Sequence, residues 1–505
     1  MAYNNIAEIF HNSLERYPKQ PALILSDKSW TYSELGRLVS SAISRLKDPL
    51  AGKGRRIAII GNNHPAYIAA YLTSHYLGLA TVEINRNESL AILLNIIKRT
   101  GACFVVTDRE DLRKALQSHL PVESFEEFIF SCETGNRNNN EMPNINLSAD
   151  GSEEASIVFT SGTTGPAKGV ILSHANFCFI SKSIADYLNL HRKDRYALIL
   201  PLCHTYGKSV LLCSFYTGAA VVMLNGFNNI KNFLHQLSVS KSTILSAVPY
   251  HINILLKGRV LSDYDLSSLR VITSSANRLS HNAVENLLKA LPWVQIFSMY
   301  GLTESTTRAC FVPPDLLQKK KGSCGKPIQG MKIRIVGEDG SDAVTGDTGE
   351  ILLSGLNIMK GYFSDPELTK ETFVDGWLKT GDIGYLDNDG FLYLTGRKKD
   401  IIKCAGERIS ALEIEKVLLE HEGVEEAVVI GRHDSLMGEI IHAYVVPRTT
   451  YLKKHDLYKY CFKRLPHYKC PCHYIFIDKL PKNSMGKIKK QILIKYPNAS
   501  NVVCE

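Results

Sequence analysis

Short apolar runs, separated by longer stretches whose apolar positions recur every three or four residues, set the rhythm of most of this chain. Arg56–Ile60 and 103–107 read as buried strands, and the segment before them reads as a helix. Thr31 and Glu34 form a capping box there, and Leu35, Leu38, Val39, Ala42 and Leu46 share one face of the helix it opens. Such alternation predicts an α/β layered domain. Further strands are predicted at 157–159, 219–223, 270–273, 295–299, Lys332–Val336 and 350–354, the later ones close together as in a small β-rich subdomain. Residues 131–151, rich in Asn, Ser, Glu and Gly, read as a surface loop or linker.

The pattern changes near Gly396. Arg397, Lys398, Lys399 and Asp400 run into Ile401, Ile402 and Lys403, and Ser410 with Glu413 forms a second capping box. Strands at 424–430 and 441–446 complete a small α+β unit. The expected fold class is therefore α/β, with a large N-terminal domain over 1–398 and a small α+β C-terminal domain over 399–505. A length of 505 residues exceeds what one core usually supports, in keeping with two or more domains.

Bulk composition narrows the classes without choosing among them. With 45% apolar and 22% charged residues the chain is ordinary for a globular protein, and its net charge of +9 is spread along its length. The basic stretch 482–490 suits an anionic small substrate or a solvated face better than nucleic acid. No charged-then-apolar signal segment opens the chain, and the most apolar stretch, 196–224, is interrupted by His204 and Lys208, so a cytoplasmic protein with no integral membrane segment is expected. Most of the twelve cysteines stand alone in apolar contexts, as Cys103, Cys178 and Cys213 do, which suits reduced core thiols. Cys470-Pro471-Cys472-His473 lacks a second ligand pair, so zinc is not expected there.

Candidate chemistry begins at Thr160, Ser161, Gly162, Thr163, Thr164, Gly165, Pro166, Ala167, Lys168 and Gly169. Glycines after a buried strand let backbone N–H groups turn inward around a polyphosphate, while hydroxyls and one lysine add donors and charge. Alone, the run suits a tight surface turn equally well. Because Gly169 rather than Ser or Thr follows Lys168, it is not a Walker loop. A second motif, Met299-Tyr300-Gly301-Leu302-Thr303-Glu304, also follows a predicted strand. Trp377-Leu378-Lys379-Thr380-Gly381-Asp382, Gly396-Arg397-Lys398-Lys399-Asp400 and Asn483-Ser484-Met485-Gly486-Lys487-Ile488 come after it.

Five motifs in this order resemble the ANL superfamily of adenylate-forming enzymes, which comprises acyl-CoA synthetases, peptide-synthetase adenylation domains and beetle luciferases. The resemblance covers nearly the whole chain. It implies attack of a carboxylate on the α-phosphate of ATP with loss of pyrophosphate, a reaction governed by positioning and charge neutralisation. By that resemblance Thr160, Ser161, Gly162, Thr163, Thr164, Gly165 and Lys168 hold phosphates, and Glu304, with Thr160, ligates Mg²⁺. Thr303 joins the nucleotide-binding and catalytic set. Tyr300 stacks on adenine beside Gly301, and Ser275, Ala276 and Asn277 line the base, although Ser274-Ser275-Ala276-Asn277-Arg278 departs from the usual glycine-rich form. Asp382 matches the ribose ligand with Arg397 as companion. Lys487 matches the lysine carried in from a mobile C-terminal domain, Lys399 the hinge, and Lys403 and Gly406 the pantetheine channel.

Pro201-Leu202-Cys203-His204 resembles the Pro-Leu-Phe-His segment of acyl- and aryl-CoA synthetases, with His204 implied in the catalytic and acyl-pocket sets. No carboxylate stands at His204 to pair an α-ammonium, so an α-amino acid is disfavoured. Gly301, where acetate-specific relatives carry Trp, implies room for a medium- or long-chain fatty or an aryl acid, with Tyr250 a wall residue or a core tyrosine. The expected acceptor is CoA, since no insertion separates Glu350–Gly355 from Lys360-Gly361-Tyr362. The phosphopantetheine of an acyl or peptidyl carrier protein is the alternative, and a non-catalytic nucleotide-binding protein ranks below both.

Overall fold

The computed structural model describes residues 3–50, 56–134, 151–160, 167–224, 226–227, 229–257, 260–275, 279–405, 407–449, 451–482 and 488–495. These form two compact units, one built from residues up to 160, 167–332 and 354–371, the other from 333–353 and 372 onward.

Two sheets form the first unit. In one, Arg56–Ile60 lies between Ala80–Glu83 and Phe104–Thr107, with Glu154–Thr160 and Val122–Ser124 beyond them, all in parallel. Lys168–Ser173 and then Gly361–Tyr362 extend it antiparallel past Glu154–Thr160. In the other, Ala220–Met223, Arg195–Leu198, Ile244–Ala247, Val271–Ser274 and Gln295–Tyr300 run parallel in that spatial order. These strands are short apolar runs buried on both faces, as parallel strands covered by helices must be. The predicted strands are found to within a few residues, and the Thr31–Glu34 box caps Tyr32–Leu50 with all five anticipated apolar residues buried.

The helix Thr205–Thr217 is apolar or small almost all round and packs on Arg195–Leu198, Ala220–Met223 and the helix His174–Tyr187. A Cβ on its Gly207 would run into the carbonyl oxygen of Pro201, so only glycine lets the first turn fold back on its own entry strand. The next residue, Lys208, is 1% exposed and forms an ion pair with Glu83, itself fully buried on Ala80–Glu83 of the other sheet. Glu83 Oε1 also accepts from Thr81 Oγ1 at 2.6 Å and Ser156 Oγ at 2.9 Å, and Lys208 Nζ lies 4.4 Å from the Tyr71 ring centroid. The pair fastens the helical layer of one sheet to the strands of the other.

The second unit holds two sheets. Lys332–Val336, Gly349–Ser354, Trp377–Leu386, Phe373–Val374 and Leu392–Arg397 make one sheet. Glu407–Ser410, Ile401–Cys404, Gly438–Pro447 and Val424–Asp434 make another, with His473–Phe476 added in parallel. The second capping box is only half formed. Ser410 Oγ accepts from the Glu413 backbone N–H, while the Glu413 carboxylate accepts from Lys469 Nζ at 2.9 and 2.8 Å instead, because a lysine ammonium is the stronger donor. Residues 131–134, expected in a loop, close the helix Phe125–Thr134, and 135–150 lie outside the described residues. Among the described residues no helix is long and apolar enough to cross a membrane, and no three or more His, Cys, Asp or Glu gather as metal ligands.

Replacing Lys208 by Met strands a buried carboxylate and should lower stability by about 3–5 kcal/mol, whereas K208M with E83Q should recover most of that loss. Urea unfolding monitored by fluorescence checks both. Burial also lowers the pKa of His174, His204 and His251 to about 4 each. Each is neutral when folded and takes up a proton below about pH 6.5 when unfolded. Stability should therefore be fully present above that pH and fall by about 1.4 kcal/mol per pH unit per histidine on the way down to the folded values. H174Q should flatten the plot of urea midpoint against pH by one proton.

Candidate active site

Parallel strands place their C-terminal ends on one edge, and in the second sheet of the first unit that edge carries His204, Tyr250, Ser275 and the run from Tyr300 to Glu304. Residues 201–204 follow Arg195–Leu198, Val248 to Tyr250 follow Ile244–Ala247, Ser275 follows Val271–Ser274, and Gly301 to Glu304 follow Gln295–Tyr300. The chain leaves Arg195–Leu198 for Ala220–Met223 on one side but leaves Ile244–Ala247 for Val271–Ser274 on the other. Connections that diverge from neighbouring strands open a crevice at the strand ends, the usual ligand position in such sheets. His204 flanks it at the start of Thr205–Thr217 without capping that helix. Its Nε2 is buried with no hydrogen-bond partner among the described residues, and burial keeps the imidazole neutral, with a pKa of about 4. Tyr250 is 46% exposed at the start of Pro249–Lys257, its ring 5.8 Å from that of His251.

Gly301 has a stricter reason to be glycine than space for a substrate. A Cβ there would overlap the carbonyl oxygen of Thr307, so the strand end and the following turn touch backbone to backbone. That turn is itself strained. Thr306 and Thr307 have φ of 46° and 82°, left-handed values that β-branched residues rarely take, and they directly follow the short helix Thr303–Ser305. A distant segment holds the turn in place. Thr306 Oγ1 donates to Asn357 O at 2.7 Å, and Asn357 Nδ2 donates to Ser305 O at 2.8 Å and Arg308 O at 2.7 Å. Asn176 Nδ2 anchors the same segment through Leu356 O at 2.6 Å and Ile358 O at 3.0 Å.

This strap brings Tyr362 to the site. Its hydroxyl donates to Glu304 Oε1 at 2.9 Å, and Lys168 Nζ lies 5.4 Å from its ring centroid. A cation at the end of the phosphate-loop motif and the candidate metal carboxylate thus meet one phenol ring. Backbone pairing enforces the arrangement, since Gly361 and Tyr362 lie opposite Ile171 and Val170, close to Lys168 in sequence. Thr160 and Lys168 face each other across a hairpin, so the chain returns from the loop as a strand and not as a helix. Half-buried Glu304, one oxygen held by a hydroxyl, is a hard oxygen donor of the kind Mg²⁺ takes. Sequence reasoning missed Tyr362, Asn357 and Asn176. The Lys360-Gly361-Tyr362 run was visible but was read only as spacing.

Of the remaining predicted residues in the first unit, Tyr300 and Ser275 are buried and Thr303 is half-buried. In the second unit, Asp382 is 2% exposed and pairs with Arg397 directly across the strands Trp377–Leu386 and Leu392–Arg397, Nε to Oδ1 at 2.6 Å. Lys399 is exposed in the short helix Lys398–Asp400, and Lys403 is exposed on Ile401–Cys404 with its backbone N–H bonded to Glu439 at 2.7 Å. Ser161, Gly162, Thr163, Thr164, Gly165, Ala276, Asn277, Gly406 and Lys487 lie outside the described residues.

Comparison with known proteins bears on this arrangement directly. Residues 10–363 match the family model for the AMP-binding enzyme, and 413–487 match that for the AMP-binding enzyme C-terminal domain. The chain is 32% identical to 2-succinylbenzoate–CoA ligase of Bacillus subtilis over 481 residues, 94% of this chain and 95% of that protein. The solved structure of the Bacillus subtilis o-succinylbenzoate CoA synthetase with its acyl-adenylate intermediate superposes with a TM-score of 0.86 at 31% identity, covering 96% of this chain and 97% of that one. The same enzyme with ATP and magnesium gives 0.87 at 30% identity, covering 96% and 99%. With both domain models in order and an α/β fold that carries their motifs at its strand ends, the chain belongs to the ANL superfamily of adenylate-forming, AMP-binding enzymes.

Proposed function

We propose that this protein activates an aryl carboxylic acid with ATP and Mg²⁺, releasing pyrophosphate, and passes the acyl group from acyl-AMP to the thiol of CoA. The observation that carries the reading is the approach of Lys168 and Glu304 to the Tyr362 ring at the edge of the first unit. Two anions, a carboxylate and a triphosphate, must be brought together there, so the site needs fixed positive charge, a metal-binding carboxylate and hydrogen-bond donors. The 2-succinylbenzoate and o-succinylbenzoate enzymes at 31–32% identity support the CoA ligase reading, with an aryl acid as substrate.

On this reading Thr160, the loop up to Gly165 and Lys168 cradle the β- and γ-phosphates. Glu304, with Thr160, holds Mg²⁺, which neutralises phosphate charge when bound. Thr303 donates to the nucleotide, Tyr300 covers the adenine with Gly301 beside it, and Ser275, Ala276 and Asn277 line its edge. Asp382, oriented by Arg397, accepts from the ribose hydroxyls. Lys487 bridges the attacking carboxylate and the α-phosphate. The acid lies along His204, Gly301 and Tyr250, and a neutral His204 presents no charge to an apolar ring. The small domain, 399–505, turns about Lys399 between the two half-reactions, and Lys403 and Gly406 then line the path of the pantetheine arm.

Pyrophosphate release measured with aryl, fatty and amino acids, each with and without CoA, tests the proposal. Sustained CoA-dependent release with an aryl acid is expected. Release that stalls near one equivalent per enzyme with CoA present would replace CoA by a carrier protein, and absence of release with every acid would sink the reading. Lys487→Ala should slow adenylation by about 100-fold or more while ATP binding stays within a few-fold. Tyr362→Phe frees Glu304 from its hydroxyl donor and should raise the Mg²⁺ concentration for half-maximal rate by about tenfold. An unchanged Mg²⁺ requirement would remove Tyr362 from the site.

A further inference from the structure

The chain on either side of the proposed catalytic Lys487 is fastened at several points. Lys482 and Ile488 pair as an antiparallel bridge, and the Lys489 backbone N–H donates to Pro481 O at 2.8 Å. Lys482 Nζ also reaches Glu426, on the strand Val424–Asp434, at 2.6 Å. Beyond the bridge, Leu493 is fully buried in a cluster with Val428, Ile430 and Tyr444, and the Tyr444 hydroxyl donates to Leu493 O at 3.2 Å. The segment 488–495 is thus seated on the strands Val424–Asp434 and Gly438–Pro447.

Another tie runs in a different direction. Lys490 opens the short helix Lys490–Lys495, three residues beyond Lys487, and its Nζ lies 3.0 Å from Asp400 Oδ2 and 3.7 Å from Glu415 Oε1. Glu415 stands on the helix Ala411–Leu419, where its Oε1 accepts from the Val429 N–H at 2.8 Å. Asp400 directly follows Lys399, the proposed hinge. One ammonium therefore serves two carboxylates, with side-chain exposures of 30% for Asp400 and 15% for Glu415. Burial pushes the Glu415 carboxyl up, and the Lys490 charge opposes that shift. Without the ammonium the two anions would repel each other, and Asp400, the more exposed, has the more room to move away.

The position of this tie matters for a domain that turns. A lysine that bridges an attacking carboxylate and an α-phosphate must be placed to within a fraction of an ångström, so the path from the pivot to that lysine has to be stiff. Asp400 and Lys490 are 90 residues apart in sequence, yet 3.0 Å apart across the ion pair. The pair is a short cut between pivot and lysine.

We propose that Lys490 is a positioning residue for adenylation: bound to Asp400 and Glu415, it fixes the segment carrying Lys487 to the chain just beyond the hinge, so that turning of the domain delivers the lysine to one place. The inference rests on the ligase reading and deepens it. Thioester formation, in which Lys487 takes no part on that reading, has no need of the tie.

Measuring the two half-reactions separately tests it, with benzoate, anthranilate or 2-succinylbenzoate, whichever the wild type activates fastest, and with the adenylate of that acid. Lys490→Met should slow acyl-AMP formation by about 10- to 100-fold, the cost of an ångström-scale misplacement, with the KM for ATP little changed. CoA-dependent consumption of added acyl-AMP should stay near the wild-type rate. Lys490→Arg should recover most of the lost rate, because a guanidinium can meet both carboxylates. Asp400→Asn should slow the same step, and K490M combined with D400N should be no slower than K490M alone, since the two changes remove one shared contact. If K490M fails to fold, D400N, which spares the more buried Glu415 pair, carries the same expectation. Adenylation at the wild-type rate, or an equal loss of both half-reactions as from a merely structural ion pair, overturns the role of Lys490 and leaves the ligase reading intact. A wild type that activates no acid sinks that reading and this inference with it.

Discussion

A lysine and a glutamate shut away from water fix the geometry on which the first unit depends. Glu83 belongs to one sheet, and Lys208 to the helix that covers the other. Their attraction, reinforced by the hydroxyls of Thr81 and Ser156, determines how far that helix stands from the strands beneath it. His204 and Tyr206 occupy the first turn of the same helix, so the placement of the proposed acid site follows from a contact made deep below it. An apolar pair of similar volume could fill the same space, but only a charged pair penalises every register except the one in which the two groups meet.

The strands were legible because their signal is local. Each is a short apolar run, and buried parallel strands need no partner to be recognised as such. The helix Tyr32–Leu50 was equally plain from Thr31, Glu34 and one apolar face. The Ser410 box failed in half because the fate of a side chain such as Glu413 depends on which cation the fold delivers, and Lys469 is 56 residues away. The large site motifs were visible for the same local reason, as glycines, hydroxyls and charges next to strand ends.

What the pattern could not disclose lies in contacts that skip long stretches of chain. Asn176 reaches residues 356 and 358, and Asn357 reaches 305 and 308, in each case by a side-chain amide bonding backbone carbonyls. Nothing in the composition around an asparagine distinguishes that duty from an exposed loop position. Tyr362 is of the same kind, since its meeting with Glu304 depends on a strand pairing that only the folded sheet creates. The left-handed Thr306 and Thr307 were unreadable for the opposite reason. Local preference argues against that conformation, and tertiary hydrogen bonds override it.

The backbone contact between Gly301 and Thr307 couples two properties that a protein engineer would want to vary separately. Even a methyl group at 301 must push on the turn that carries Glu304, so widening or narrowing the acid site at that position also displaces the carboxylate proposed to hold the metal. Substrate range in this scaffold is therefore better redrawn from the helix side, at side chains that end in the crevice without touching the turn's backbone. A lineage drifting toward new acids would meet the same restriction, and its history should be written in residues around 204 to 206 while 301 stays still.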